Sequence, residues 1–203
     1  METVLGLLML AVTTTNPVST PENNTNNFLE NTTENVVLNV PFVHQVNDLP
    51  EDKKAEIGST ACGPASLSMI LKYNGYHLNF YDVIEELPTT VYIKGSMFYD
   101  LKEGAKPFGF EPRSVKNSYE SLYNELKNQN PVIMNIQNYD GITGHAIVVV
   151  GMKGFDGKKA DALIVHDPWI GAYRTFDYID ENALRQPEGY NLYIGSMEPF
   201  VFE

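Results

Sequence analysis

The stretch Thr60–Leu71, with the sequence TACGPASLSMIL, decides the fold class of this chain. Small residues and a proline come first and a long apolar run follows, a pattern that predicts a buried helix. The terminal signals are candidate caps at Ser59 and Thr60, Pro64 in the first turn and Gly75 as the stop. Cys62, the only cysteine of the chain, is therefore predicted to lie at the beginning of a buried helix.

The position of Cys62 suits a nucleophile. The positive end of a helix dipole and a neighbouring imidazolium both lower the pKa of a thiol, and the thiolate is the reactive form. Gly63 is expected to leave one flank of the sulfur open to a substrate. The alternative is a structural cysteine, since a free cysteine commonly behaves as a small buried apolar residue.

The chain changes character after this helix. Further helices are predicted at Phe80–Leu87, Met97–Lys106 and Tyr119–Gln129. Strands or extended segments are predicted at Val36–Val43, Val132–Ile136, Ala146–Met152, Ala162–His166, Arg174–Tyr178 and Leu192–Gly195, and a polar loop from Asp48 to Asp52. Helices that precede strands without regular alternation predict an α+β fold with an antiparallel sheet.

Two of the predicted strands carry groups that suit cysteine catalysis. His145 begins the β-branched stretch GHAIVVVG, so the strand would anchor a base that reaches towards the thiol. Asp167 ends an apolar strand in VHDPW, where a carboxylate can orient the imidazole and stabilise its cation. The alternatives are a structural histidine and an ordinary turn aspartate.

Gln45, in the stretch VPFVHQ, is a candidate donor for an oxyanion hole, which it would form together with the backbone N–H of the nucleophile. The other histidines carry less weight. His44 is expected to line the site, and His166 to face away from Asp167 because neighbouring strand residues point to opposite faces. His77 is expected to be exposed.

The order Gln, Cys, His and Asp, with these flanking stretches, resembles the papain-like cysteine peptidases and most closely the C39-like family. The resemblance runs from about Val40 to the C-terminus. It implies a papain-like fold, with the nucleophile helix packed on a C-terminal antiparallel sheet. It also implies Cys62 as nucleophile, His145 as base, Asp167 as orienting group and Gln45 as oxyanion donor. Members fused to transporters remove leader peptides after a double glycine, and that substrate is not carried over.

The composition excludes several classes of partner. The formal net charge of -12 over 203 residues argues against binding nucleic acid or an anionic membrane surface. No metal-binding or nucleotide-binding motif occurs, so no cofactor and no metal are expected. The expected partner is a peptide or protein substrate, with a cell-wall peptide as one candidate.

The N-terminal region predicts export. Val4–Val12 is a run of nine apolar residues, too short to span a bilayer but suited to a signal peptide, although Glu2 replaces the usual basic residue. The alternatives are a short anchor and a buried strand or helical turn. We assign 1–15 to a signal peptide or short apolar anchor, 16–36 to a disordered Asn/Thr-rich tether and 37–203 to the peptidase domain. An extracellular or cell-surface location is expected.

These observations predict an exported cysteine peptidase that hydrolyses amide bonds through a thioester acyl-enzyme. Two alternatives stay open. The same site would act as a transpeptidase or amidase if an amine resolved the acyl-enzyme, and the domain would be a surface-tethered binding module if it lacked activity.

Overall fold

The computed structural model of the protein describes residues 33–87, 95–139, 142–177 and 190–193. The predicted segment 1–15 and most of the predicted tether 16–36 lie outside these ranges. Strand β1 begins at Glu34, inside the segment that the sequence predicted as tether.

The described part contains five α-helices and seven strands. The helices are α1 (Glu51–Ile57), α2 (Cys62–Tyr73), α3 (Phe80–Glu85), α4 (Phe98–Ala105) and α5 (Tyr119–Lys127), with 3-10 turns at Gly58–Thr60 and Lys106–Phe108. The strands are β1 (Glu34–Val37), β2 (Arg113–Lys116), β3 (Val132–Tyr139), β4 (Ile142–Phe155), β5 (Ala162–Asp167), β6 (Gly171–Asp177) and β7 (Tyr190–Tyr193).

All the strands belong to one sheet, and every recorded pairing is antiparallel. The order is β2-β7-β3-β4-β5-β6, with β1 paired to β4. β5 occupies one side of β4 between Val148 and Lys153, so β1 joins β4 on the other side, just beyond the point where β3 begins. Helices that precede this antiparallel sheet confirm the predicted α+β class.

The core lies between α2 and the centre of the sheet. The residues from Gly63 to Leu71 are all buried, and α2 contacts β4. All six residues of β5 are buried as well. Burying each large apolar side chain contributes about 1.5–3 kcal/mol, so the contact between α2 and the sheet is the main hydrophobic interface of the domain.

Some predicted boundaries are wrong. Ser59 and Thr60 do not cap α2 but form a 3-10 turn that leads to Ala61, which has no side-chain capping bond. The hydroxyl of Thr60 instead donates to the carbonyl of Ile57 at 3.0 Å. Of the strand or extended segment predicted at Val36–Val43, only Val36 and Val37 belong to β1, and the N–H of Leu38 still donates to the carbonyl of Val150 at 2.7 Å.

Candidate active site

Cys62 is the first residue of α2, as the sequence predicted. Pro64 lies in the first turn and Gly75 follows the helix with a φ of +90°. The twelve residues of α2 direct the positive end of their dipole towards the thiol, which favours its ionised form.

The space beside the backbone of Gly63 is filled by Ser96. A Cβ added at Gly63 would lie 2.7 Å from the Cβ of Ser96 and 2.8 Å from its Oγ. The residue is buried. Glycine at this position therefore allows the segment that leads into α4 to pack directly against the first turn of α2.

His145 lies on β4, opposite Ile136 of β3, and its side chain is buried. Its Nε2 atom is 2.8 Å from Oδ1 of Asp167. The imidazole and the Cys62 thiol lie near enough for each to shift the pKa of the other. Because Nε2 is engaged by Asp167, we assign Nδ1 to the side of the sulfur. The structure thus brings Cys62, His145 and Asp167 together in one site.

Asp167 is the last residue of β5 and is fully buried. The turn that follows folds back on it, so that Oδ1 accepts hydrogen bonds from the backbone N–H groups of Trp169 at 2.9 Å and Ile170 at 3.2 Å. Oδ2 is buried and has no hydrogen-bond partner within the described ranges. The strand end and its turn therefore fix the carboxylate beside the imidazole.

The three ionisable groups alter one another's pKa values. Burial disfavours the thiolate of Cys62, but the hydrogen bond and positive charge of His145, with the N–H groups of Ala146 and Gly63, outweigh it and lower the pKa of the thiol. Burial likewise opposes the charged imidazole, yet Asp167 and Cys62 raise the pKa of His145 to about 9. Burial would raise the pKa of Asp167, and its hydrogen bonds and the charge of His145 lower it. These shifts favour a thiolate–imidazolium pair beside a carboxylate.

Gln45 is buried between the two halves of the site. Its Nε2 atom donates to the carbonyl of Gly58 at 2.7 Å, four residues before Cys62, and its backbone N–H donates to the carbonyl of Pro168 at 2.9 Å, directly after Asp167. Its Oε1 atom is buried without a partner in the described chain. The residue therefore links the approach to α2 with the turn after β5.

The two neighbouring histidines have structural contacts. The Nε2 atom of His166 lies 2.8 Å from the carbonyl of Val40, and its Nδ1 accepts the backbone N–H of Tyr173 at 3.0 Å. Its pairing with Val148 places it on the face of the sheet opposite Asp167, as predicted. His44 uses Nδ1 to accept the N–H groups of Val46 and Asn47 in a tight turn.

Asn135, a polar residue in the middle of β3, was not predicted from the sequence as part of the site. Its Oδ1 accepts the backbone N–H of His145 at 3.1 Å. The signal for it was available, because asparagine is disfavoured in strands and this one interrupts the apolar run that begins at Val132.

Neither a metal cluster nor a membrane helix occurs in the described ranges. No group of three or more His, Cys, Asp and Glu side chains there is arranged to hold a metal ion. The helices of the same ranges are too short or too polar to cross a bilayer.

The comparisons with known proteins agree with this architecture. A Bacillus anthracis protein described as a C39-like peptidase is 18% identical, covers 81% of this chain and 98% of its own, and superposes with a TM-score of 0.57. A double glycine motif protease from an AMS/PCAT transporter, solved with a leader peptide, is 20% identical, covers 80% and 95%, and has a TM-score of 0.53. The peptidase domain of Streptococcus ComA, a bifunctional ABC transporter, is 22% identical, covers 68% and 93%, and has a TM-score of 0.50.

At these identities the solved structures establish the fold alone. No curated protein sequence matches the chain significantly. The Peptidase_C39 like family, in contrast, matches residues 37–191, which is most of the chain. The chain therefore belongs to the C39-like peptidase family.

Proposed function

We propose that the protein is a cysteine peptidase that hydrolyses peptide bonds through a thioester acyl-enzyme formed on Cys62. The observation that carries this proposal is the grouping of Cys62, His145 and Asp167, in which Nε2 of the imidazole is 2.8 Å from the carboxylate and the imidazole and the thiol shift each other's pKa. A thiol at a helix N-terminus beside an oriented imidazole is the arrangement that cysteine acyl transfer requires.

The proposed reaction starts from the thiolate–imidazolium pair. The sulfur of Cys62 attacks the carbonyl carbon of the scissile bond, and the imidazolium of His145 then protonates the leaving amine. A water molecule, deprotonated by the neutral imidazole, attacks the thioester and releases the acid together with the thiolate. Asp167 holds the ring through Nε2 during both steps and stabilises its cation.

We assign the oxyanion donor to Gln45, acting with the backbone N–H of Cys62. One hydrogen on Nε2 of Gln45 donates to Gly58, and this bond fixes the amide while the second hydrogen serves the developing oxyanion. We expect Gln45→Ala to lower kcat by about 10²–10³ with little change in KM, because an oxyanion bond forms mainly in the transition state. Steady-state kinetics on one peptide would show this, and an unchanged kcat would remove Gln45 from the site.

Labelling by an activity-based thiol probe, followed by peptide mapping, tests the proposal as a whole. The expected result is stoichiometric labelling of Cys62 in the folded protein and none in Cys62→Ala, which should keep the fold and lose hydrolysis. Retained turnover in a folded Cys62→Ala protein would contradict the mechanism. Product analysis with and without an added amine distinguishes hydrolysis from transpeptidation.

A peptide substrate is consistent with the neighbour that was solved with a leader peptide. We further propose that the enzyme acts outside the cytoplasm, on a peptide of the cell surface or surroundings. The support for this is the apolar run Val4–Val12 and the Asn/Thr-rich composition of the segment that follows it.

A further inference from the structure

Asn135 holds the backbone at His145. It lies between the buried residues Met134 and Ile136, and its Oδ1 accepts the N–H of His145 at 3.1 Å. A side-chain acceptor for a strand N–H, offered by a residue type that strands disfavour, calls for a functional explanation.

The strand register places Asn135 on the far side of the sheet from the catalytic imidazole. Asn135 pairs with Ala146, whereas His145 pairs with Ile136, and paired residues of antiparallel strands share a face. The amide oxygen of Asn135 lies over Gly144, 3.7 Å from the position that a Cβ there would occupy. Asn135 therefore supports His145 through its backbone and not through its ring.

Within the described ranges, β4 is paired on one side only at this point, because its pairs with β5 run from Lys153↔Ala162 to Val148↔His166 and stop short of His145. Successive N–H groups of a strand point to opposite sides. The N–H of His145 is accepted by Asn135, so the N–H of Ala146 points away from β3, and this N–H lowers the pKa of the Cys62 thiol.

We propose that Asn135 is a positioning residue for the peptidase site, which fixes how the imidazole of His145 and the N–H of Ala146 meet the sulfur. The inference rests on the proposed roles of Cys62 and His145. Without the acceptor of Asn135, β4 would shift at His145. This shift would move the imidazole of His145 and the N–H of Ala146 relative to the sulfur of Cys62, and the thiolate–imidazolium pair would weaken.

The test replaces the acceptor in two ways. Asn135→Ala removes the side chain, and Asn135→Val removes the acceptor while providing a residue that strands favour. Both variants should lose about 10- to 100-fold in kcat, the size expected for a displacement of roughly 1 Å, with little change in KM. The pH profile of alkylation of Cys62 by iodoacetamide should move upwards in both, because a weaker ion pair leaves more of the thiol protonated.

Two further variants distinguish positioning from general loosening of β3. Ile133→Val lies on the same strand and face, destabilises by about 0.5–1.5 kcal/mol and keeps the acceptor, so its alkylation profile should match the wild type. Asn135→Asp retains an oxygen in the same place, and its charge favours the imidazolium. The Asn135→Asp protein should therefore still be alkylated at Cys62 at low pH, as the wild type is, and should keep most of its activity.

The outcomes separate this inference from the function on which it rests. If wild-type Cys62 reacts only above about pH 8, no ion pair exists and the proposed function fails together with the inference. If the wild type reacts readily at about pH 6 and the folded Asn135→Val protein has the same profile and kcat, only the inference is overturned. An equal shift in Ile133→Val, or a shift in Asn135→Asp as large as in Asn135→Ala, would also overturn it.

Discussion

The buried imidazole of His145 carries its charge between two groups that stabilise it, Asp167 on one nitrogen and Cys62 on the other. Burial opposes the cation, but these partners prevail and raise the pKa of His145 to about 9. Burial opposes the thiolate of Cys62 as well, but the hydrogen bond and charge of His145, with the N–H groups of Ala146 and Gly63, lower the pKa of the thiol below its ordinary value of 9.0. The site therefore has a pH range in which the sulfur is deprotonated while the ring is protonated.

This range predicts the pH dependence of hydrolysis. As pH rises through the lowered pKa of Cys62, the thiolate forms and kcat/KM rises. As pH rises further, through about 9, His145 loses the proton that the leaving amine needs and kcat/KM falls. A bell-shaped profile of kcat/KM whose upper limb falls near 9 is expected. A profile that rises to a plateau through the same range would contradict the assignment of His145.

His166 offers a second test at the scale of single residues. Its ring bridges the carbonyl of Val40 and the N–H of Tyr173, so His166→Ala leaves both without their partner. The carbonyl of Val40 is buried, and an unsatisfied buried group costs about 1–3 kcal/mol, so the free energy of unfolding should fall by about this amount in urea titrations. The folded fraction should keep its kcat, whereas His145→Ala should abolish turnover. The opposite pattern would identify His166 as the base.

The sequence was sufficient for the residues whose chemistry is visible in their local pattern. Cys62 occupies the predicted start of a helix and Asp167 the predicted end of a strand, whereas His145, which was predicted to begin a strand, is the fourth residue of β4. Asn135 is unusual by its residue type in a strand, but its contact with His145 could not be predicted, because that contact depends on the pairing register of β3 and β4, which no local pattern specifies.

Among the secondary-structure elements, α2 has a tight packing requirement at Gly63. Because the added Cβ of Gly63→Ala would meet the Cβ of Ser96 at 2.7 Å, the segment entering α4 must move away from α2. Overpacking of this kind costs about 1–3 kcal/mol, which chemical denaturation would measure. The control on the same helix is Ser66→Ala, which removes a buried hydroxyl without a partner in the described chain and should be neutral or stabilising. If the two variants had equal free energies of unfolding, the segment at Ser96 would have moved away from α2 without a measurable cost.

Elements with a clear apolar pattern were predicted, whereas the polar elements α1 and β2 were not. The buried strand β5 and helix α2 stand out by composition, whereas α1 reads EDKKAEI and was taken as part of a loop. Strand β2, with the sequence RSVK, has one buried residue among its four, and its partner is the distant β7. Short elements of this kind are stabilised by tertiary contacts, so their own sequence carries little signal.

At the scale of the whole molecule, the order of the elements predicted the α+β class, but the path of the sheet did not follow from it. β7 comes last in the chain and yet lies between β2 and β3. β1 joins β4 where a Cβ at Gly151 would meet the carbonyl oxygen of Val36 at 2.6 Å, a close approach that only glycine permits. The pairing of strands that are distant in sequence depends on which faces of these strands are buried against the rest of the domain.

The whole chain also carries the prediction of export. The run Val4–Val12 is apolar over nine residues, while the segment up to residue 32 has too few apolar residues to form a core. A signal peptidase would act among the small residues after this run, so the mature protein should lack roughly its first dozen residues. Fractionation of cells that express the chain, with mass spectrometry of its N-terminus, measures both location and processing. A processed protein outside the cytoplasm is expected. Full-length protein in the membrane fraction would indicate an uncleaved anchor, and Met1 retained on a cytosolic protein would contradict export.

The acidic character of the chain, with its formal net charge of -12, gives no attraction to an anionic membrane surface, so retention there would have to come from the apolar run itself.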